Sequence, residues 1–186
     1  MGSRKTVGIA KTRSVAFCGL CIAIMAVSAW ITVPLGPVPF TLQIFALVFA
    51  ILVLSPKEAT ASVAIYLLMG AVGMPVFSSM RGGIGVLMGP TGGFLWGYLL
   101  GVLLAAAFLS FASRKERPRT VAVDVAVAVL FLLVSYTCGW LQLAAVTQMS
   151  LPAAFATGIA PFILVDFAKI AIAVVTARAV RKAMNQ

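Results

Sequence analysis

The chain has 186 residues, of which 62% are hydrophobic and only 10% are charged, whereas a soluble domain is nearer half apolar and a quarter charged. The net charge of +10 would suggest nucleic-acid binding in a soluble protein. Most of the cations lie in short tracts between apolar runs, however, and that pattern sets orientation in a membrane, so we predict a membrane protein in contact with the lipid bilayer and with no nucleic-acid partner.

Apolar runs of about 18 residues recur along the chain, and this is the length that crosses a hydrocarbon core of roughly 30 Å. Lipid cannot satisfy the backbone of an open sheet, so we expect an all-α integral membrane protein, with residues 1–186 forming a single membrane domain. Six transmembrane helices are predicted, at about 14–33, 40–54, 58–74, 91–113, 120–147 and 160–181. Pro161 suits a first helical turn but would break a continuous helix, so a separate short helix is expected at about 151–158.

The first predicted helix carries Cys18 and Cys21 at a spacing known from redox and metal sites. The chain has three cysteines and no histidine, so we interpret both as packing residues and expect no metal and no cofactor. Gly19 and Ala23 form a short small-residue stripe on the same helix. Such stripes allow close helix packing, either inside the bundle or against a partner subunit. The same two interpretations apply to a longer stripe on the fourth helix, formed by Gly89, Gly93, Gly97, Gly101 and Ala105.

The basic residues test the six-span arrangement. With both termini on one side, twelve of the fourteen Lys and Arg residues fall on that side: four in the N-terminal tail, Lys57, four within residues 114–119, and three at the end of the last helix. By the positive-inside rule that side is cytoplasmic, which predicts a multi-pass protein of the cell (plasma) membrane with both termini cytoplasmic. The connections 34–40, 74–90 and 148–160 then meet at the outer end.

Two ionisable residues, Asp166 and Lys169, stand inside the last predicted helix, in 161-PFILVDFAKI-170. They share one helix face, and Asp166 lies roughly 8 Å below the outer end of the helix. Charge within a membrane span is costly and usually faces a bundle interior or a watery cavity. Three interpretations remain open: an ion pair that joins two helices, the polar floor of an outward-facing ligand pocket, and a proton relay.

Further candidate ligand-binding residues lie in the outer connections. Glycines let backbone approach a ligand closely, hydroxyls supply polar contacts, and Arg81 can bind a carboxylate or, alternatively, lipid headgroups. The glycine-rich loop is not a nucleotide-binding P-loop, because no G-x-x-x-x-G-K-[ST] motif occurs in the sequence. Any energy from ATP must therefore come from a partner. The candidates are Ser78, Ser79, Arg81, Gly83, Thr91 and Gly92 in this loop, and Phe40, Thr41 and Gln43 before and within the second helix.

Four stretches, 35-LGPVPFTLQ-43, 66-YLLMGAVGMPVFS-78, 82-GGIGVLMGPTGGFLWGY-98 and 161-PFILVDFAK-169, resemble the BioY family. Its members are the biotin-specific S components of energy-coupling-factor (ECF) transporters. The resemblance implies an ECF S-component-like six-helix bundle with an extracellular pocket, and biotin as the transported ligand. It also implies a coupling subunit and two ATPase subunits as partners.

Residue by residue, the resemblance implies that Asp166 and Lys169 form the polar binding pair. Residues 78–93 would form a lid that contacts the ligand, and residues 38–43 the opposite wall. Gly19 and Ala23 stand where the family often has an Ala-xxx-Ala motif that docks the coupling subunit. In the fifth helix, Tyr136 is a further candidate for ligand binding.

Three other functions are weighed against biotin capture. An S component for another small vitamin would share the composition and topology. A membrane enzyme would need a catalytic constellation, but the chain has no His, no paired carboxylates and no metal-ligand cluster, so we predict that it is not an enzyme. A purely structural or assembly subunit would leave the Asp166–Lys169 pair and the glycine-rich loop unexplained.

Overall fold

The computed structural model of the protein describes residues 2–114 and 119–184. The fold is mostly helical, as expected, with one small hairpin in addition. The predicted cytoplasmic cations at 115–118 lie outside the described residues. The helices are α1 Gly2–Trp30, α2 Gln43–Val53, α3 Pro56–Ala71, α4 Ile84–Met88, α5 Gly92–Arg114, α6 Val121–Thr147, α7 Leu151–Gly158 and α8 Ile163–Met184, and the antiparallel strands are β1 Thr32–Val33 and β2 Phe40–Thr41.

A helix occupies each of the six segments predicted as membrane spans. Within the described ranges, three of them are long and apolar enough to cross a membrane: Thr12–Trp30, Gly92–Ala112 and Val121–Thr147. A fourth is added if α7 and α8, which meet at a 49° bend, are counted as one span. The helix α2 is apolar but has only 11 residues. The membrane character is therefore clear, while the count of six spans stays a prediction.

Local sequence signals explain where several helices begin. The Ser55 side chain accepts from the backbone N–H of Glu58, and the Glu58 side chain accepts from the backbone N–H of Ser55. This capping box, with Pro56 in the first turn, starts α3. Thr120 caps α6, and Ser150 caps the short helix α7. The helix α7 ends at Gly158 and α8 begins at Ile163, so the chain is broken near Pro161, as expected.

The glycine stripe on the fourth predicted helix packs α5 tightly against α6. A Cβ atom built on Gly93 would lie 2.3 Å from the carbonyl oxygen of Cys138, and one on Gly97 would lie 2.6 Å from the Cα of Ser135. These distances are too short for any side chain, so only glycine allows the two helices to approach so closely. The stripe therefore serves packing inside the chain. Gly19 and Ala23 on α1, in contrast, are both exposed.

The short helix α2 positions the residues that precede it in the chain. It is apolar on all sides, and eight of its eleven residues are buried. It packs against α8 and α1, so the residues just before it lie beside the start of α8. These residues form the hairpin, in which Val33 pairs with Phe40 and Thr32 with Thr41. The sequence predicts that the second helix begins near residue 40. Phe40 and Thr41 are paired in β2 instead, so α2 begins at Gln43.

Candidate functional site

A cavity lies between the start of α2, the segment that joins α3 to α5 (residues 72–91, called the α3–α5 segment below), and the helices α5, α6 and α8. Its empty space is about 600 Å³ when the part open to solvent is included. Its lining is partly polar and partly aromatic and aliphatic. The polar lining consists of Thr41, Gln43, Ser78, Thr91, Tyr136, Asp166 and Lys169, and the remaining lining consists of Val38, Pro39, Phe40, Ile44, Phe77, Phe94, Leu95, Tyr98, Gly158 and Phe162.

Asp166 and Lys169 form an ion pair in the wall of this cavity. Asp166 is 4% exposed and Lys169 is 6% exposed. The Lys169 Nζ atom donates to Asp166 Oδ1 at 2.6 Å, and the Tyr136 hydroxyl donates to Asp166 Oδ2 at 2.6 Å. The buried carboxylate is thus balanced by a cation and held by a neutral donor from α6, as a buried charge requires.

Lys169 uses two of its three donors in hydrogen bonds within the protein. An ammonium group has three N–H donors. One is directed to Asp166, and a second bonds the backbone carbonyl of Thr41 at 2.7 Å. The nitrogen also lies 3.9 Å from the centre of the Phe40 ring, which is a favourable cation–π distance. The lysine therefore connects α8 to the hairpin, and one N–H, beside the Phe40 ring, has no hydrogen-bond acceptor among the contacts described.

Asp166 keeps acceptor capacity. A carboxylate offers about four lone-pair sites. The two bonds from Lys169 and Tyr136 use one site on each oxygen. The carboxylate can therefore accept additional N–H or O–H groups from a molecule in the cavity. Through Tyr136 and Thr41 the pair joins α8 to α6 and to the hairpin, and it also lines the cavity. That this cavity binds a ligand and faces outward stays a prediction.

Gln43 is held by a chain of hydrogen bonds that sequence analysis missed. The Gln43 Nε2 atom donates to the Tyr66 hydroxyl at 2.6 Å, and that hydroxyl donates to the carbonyl of Val76 at 2.8 Å. Tyr66 is fully buried on α3. With its amide nitrogen engaged, Gln43 presents its carbonyl oxygen, which Thr41 approaches only at 3.4 Å. The chain links the start of α2 to the α3–α5 segment.

We expect Tyr66→Phe to lower the free energy of unfolding by about 1–3 kcal/mol, because the buried amide of Gln43 and the carbonyl of Val76 both lose their partner. The measurement is the midpoint of thermal unfolding of the purified protein. Adding Gln43→Leu to this variant removes the unpaired amide and should recover part of the loss. If the single variant unfolds at the same temperature as the original protein, the hydrogen-bond chain does not stabilise the fold.

The α3–α5 segment is tied to the last turn of α3 and to the end of α1. The Gly83 N–H donates to the carbonyl of Gly70 at 2.6 Å, and the Phe77 ring packs directly on Gly70, where a Cβ atom would lie 1.9 Å from the ring. The Trp30 Nε1 atom donates to the carbonyl of Pro75 at 2.7 Å. These contacts place Phe77 and Ser78 in the cavity wall.

The structure brings eight of the twelve candidate ligand-binding residues to the cavity. The other four lie outside its lining. Ser79 and Arg81 are exposed, and Arg81 Nε bonds the carbonyl of Ser78 at 3.4 Å. Gly83 is anchored to α3, and Gly92 packs against the carbonyl of Leu87. The eight are Phe40, Thr41, Gln43, Ser78, Thr91, Tyr136, Asp166 and Lys169.

Apart from Phe40, the apolar part of the lining was not predicted. It includes Phe77, Phe94, Tyr98 and Phe162, and all four are buried. Aromatic residues within apolar runs resemble ordinary core residues, so single positions give no signal. The available signal was their location in the stretches that carry the family resemblance. The arrangement suits a small ligand that has N–H donors at one end and an apolar ring system.

Comparisons with known proteins point to one family. The BioY family matches residues 3–186 of this chain. A relative named "Biotin transporter BioY", from Thermotoga maritima, is 38% identical over 164 residues, which cover 88% of this chain and 93% of the relative. "Biotin transporter BioY2" from Lactococcus lactis subsp. cremoris is 33% identical over 175 residues, covering 94% and 93%. A crystal structure of "the S-component for biotin from an ECF-type ABC transporter" matches with a TM-score of 0.85 and 25% identity, covering 92% of each chain.

Proposed function

The chain belongs to the BioY family, and we propose that it is the biotin-binding subunit of a membrane transporter for biotin uptake. The family and its relatives are components of transporters and not enzymes. The observation that carries the proposal is the buried Asp166 carboxylate, which lies in a cavity wall and keeps free acceptor sites.

Biotin has polar and apolar groups that match the polar and the apolar residues lining this cavity. Its ureido ring carries two N–H donors and one carbonyl, its thiophane ring is apolar, and its tail ends in a carboxylate. In our proposal Asp166 accepts from the ureido N–H groups, and the apolar rings lie against Phe77, Phe94 and Tyr98. The tail then extends towards the mouth, where Arg81 or backbone N–H groups of the α3–α5 segment receive its carboxylate.

Lys169 acts in this proposal as a positioning residue. Its bonds to Asp166 and to the Thr41 carbonyl use two of its three donors, and its charge also lies over the Phe40 ring. It neutralises the carboxylate of Asp166 and fixes its orientation. Tyr136 has the same role from the side of α6, because its hydroxyl hydrogen is already directed to Asp166.

The proposed orientation has six spans, both termini in the cytoplasm and the cavity facing outward across the cell membrane. Support comes from the distribution of charge along α8. Asp166 lies in the first turn of α8, near the cavity, whereas Arg181 and Lys182 lie in its last turn. Cations at that end mark the cytoplasmic side by the positive-inside rule.

The proposed partners are an ECF coupling subunit and two ATPase subunits. The sequence has no P-loop motif, so ATP hydrolysis would have to be supplied by other chains. On α1, Gly19 and Ala23 are exposed, and no atom lies within 4 Å of a Cβ built on Gly19. A partner helix can therefore approach this face closely.

Ligand-dependent thermal stabilisation of the purified protein tests the proposed function. A ligand at about 100 times its Kd stabilises the folded state by about 2.7 kcal/mol, so biotin should raise the unfolding midpoint by several degrees. Thiamine and riboflavin at the same concentration should leave it unchanged. Stabilisation by another vitamin but not by biotin would favour the alternative, an S component for that vitamin. Stabilisation by none of them would contradict a vitamin-binding function.

A further inference from the structure

A second cluster of charged side chains lies at the opposite end of α8 from the cavity. Its centre is the carboxylate of Asp124, near the start of α6, whose side chain is fully buried. Arg119 Nε donates to Asp124 Oδ1 at 2.7 Å, and Arg178 Nη1 donates to Oδ2 at 2.9 Å. Arg181 Nη2 donates to the same Oδ2 atom. One carboxylate thus gathers three arginines from two parts of the chain.

The cluster carries an excess of positive charge. Arg119, Arg178, Arg181 and Lys182 line one open cavity, and the three arginines share the single carboxylate of Asp124. The side chains of the three arginines are 31%, 38% and 19% exposed, in that order, so an ion from outside can reach them. The excess of positive charge in this cluster favours the entry of an anion.

Two guanidinium nitrogens in the cluster also need an acceptor. Arg119 Nη2 and Arg181 Nη1 are buried, and no hydrogen-bond partner for them occurs in the described part of the chain. A buried donor without a partner destabilises the folded protein. A carboxylate or phosphate satisfies guanidinium donors best, because two of its oxygens can bond in parallel. Three of the about four acceptor sites of Asp124 are already used, so Asp124 cannot satisfy both nitrogens, and a further acceptor is needed.

The position of the cluster favours phosphate as this acceptor. Val121 and Val125 on α6 and Val175 on α8 are exposed apolar side chains within about two turns of the cluster. In a membrane protein, such side chains face lipid, and the charged cluster then lies at the level of the headgroups. Phospholipid headgroups present phosphate oxygens at this level.

We propose that Arg119, Arg178, Arg181 and Lys182 form a binding site for a phosphate group, supplied by the headgroup of an anionic phospholipid or by free phosphate. Asp124 holds the arginines in place. The site is separate from the biotin cavity and does not depend on the function proposed for it.

Thermal unfolding of the full chain in detergent tests this site with two probes. Phosphatidylglycerol is compared with zwitterionic phosphatidylcholine at equal mole fraction, and sodium phosphate is compared with sodium chloride at equal ionic strength. We expect phosphatidylglycerol to raise the unfolding midpoint more than phosphatidylcholine does. A rise with phosphatidylglycerol alone identifies a lipid site, and a rise with sodium phosphate as well shows that the free anion is sufficient.

A matched pair of double variants separates a specific site from general attraction to charge. Arg178→Gln with Lys182→Gln removes two cations from the cluster and leaves two arginines on Asp124, so at least half of the shift should be lost. Arg13→Gln with Lys57→Gln removes two cations elsewhere on the predicted cytoplasmic side and should keep the full shift. Equal loss in both double variants, or no shift with either probe, would overturn the proposal. In the latter case the cations would be available to acidic side chains of a partner protein.

Discussion

The substitution Asp166→Asn is expected to lower the affinity for biotin at least about 100-fold, which corresponds to about 2.7 kcal/mol of binding free energy. The side-chain amide keeps the shape of the carboxylate but replaces one acceptor oxygen with a donor group. It can no longer accept bonds from Lys169, Tyr136 and two ligand N–H groups together. It also leaves the charge of Lys169 buried without a counter-ion, which is costly. Titration calorimetry in detergent measures the affinity.

Glu58→Gln is the matched control for this variant. It also converts a carboxylate to an amide, but Glu58 lies at the start of α3, where its side chain contacts Ser14 and the backbone of Ser55. A glutamine can still accept the capping bond. Biotin affinity should therefore be unchanged in this variant. If Asp166→Asn binds biotin within about threefold of the original protein, Asp166 is not the group that accepts the ligand N–H donors.

The substitution Gly70→Ala should reduce both stability and biotin affinity although Gly70 does not line the cavity. The added methyl group would lie 1.9 Å from the Phe77 ring, so the ring must move away from α3. Overpacking of this kind costs about 1–3 kcal/mol. Phe77 forms part of the cavity wall, and its displacement should weaken biotin binding about tenfold or more. Thermal unfolding without ligand and titration calorimetry measure the two effects.

Two further variants identify the cause of this effect. Gly85→Ala adds the same methyl group to α4 of the α3–α5 segment, where no atom lies within 4 Å, so stability and affinity should be preserved. Gly70→Ala combined with Phe77→Leu replaces the ring by a smaller side chain and should recover stability. If the double variant is as unstable as Gly70→Ala alone, the clash with Phe77 is not the reason for the loss.

The sequence predicts the polar residues that line the cavity, in part because charge within an apolar run is conspicuous. Asp166 and Lys169 are the two ionisable residues in the first half of α8, and the cost of burying charge directs attention to them. Thr41 and Gln43 were found from their position beside the second helix. Tyr136 was named as a candidate without a motif to support it, since a tyrosine in a long apolar run is usually an ordinary core residue.

What the sequence does not predict depends on backbone geometry and on tertiary contacts. Ser79 has a positive φ of 58°, a conformation that a serine seldom adopts and that no local pattern indicates. It turns this residue away from the cavity while Ser78 remains in the wall. The hairpin strands have two residues each, which is too short for an alternating pattern to show. Tyr66 matters through partners 23 and 10 positions away in the sequence, and these become visible only in the fold.

The ties between α1 and the α3–α5 segment have a thermodynamic consequence. The Trp30 indole bonds the carbonyl of Pro75, and the Thr32 hydroxyl, just beyond α1, accepts from the backbone N–H of Ser79. The same helix carries the exposed face around Gly19. A subunit that binds this face and displaces α1 therefore also displaces part of the cavity wall. By linkage, the factor by which such docking changes the affinity for biotin equals the factor by which biotin changes the affinity for the subunit.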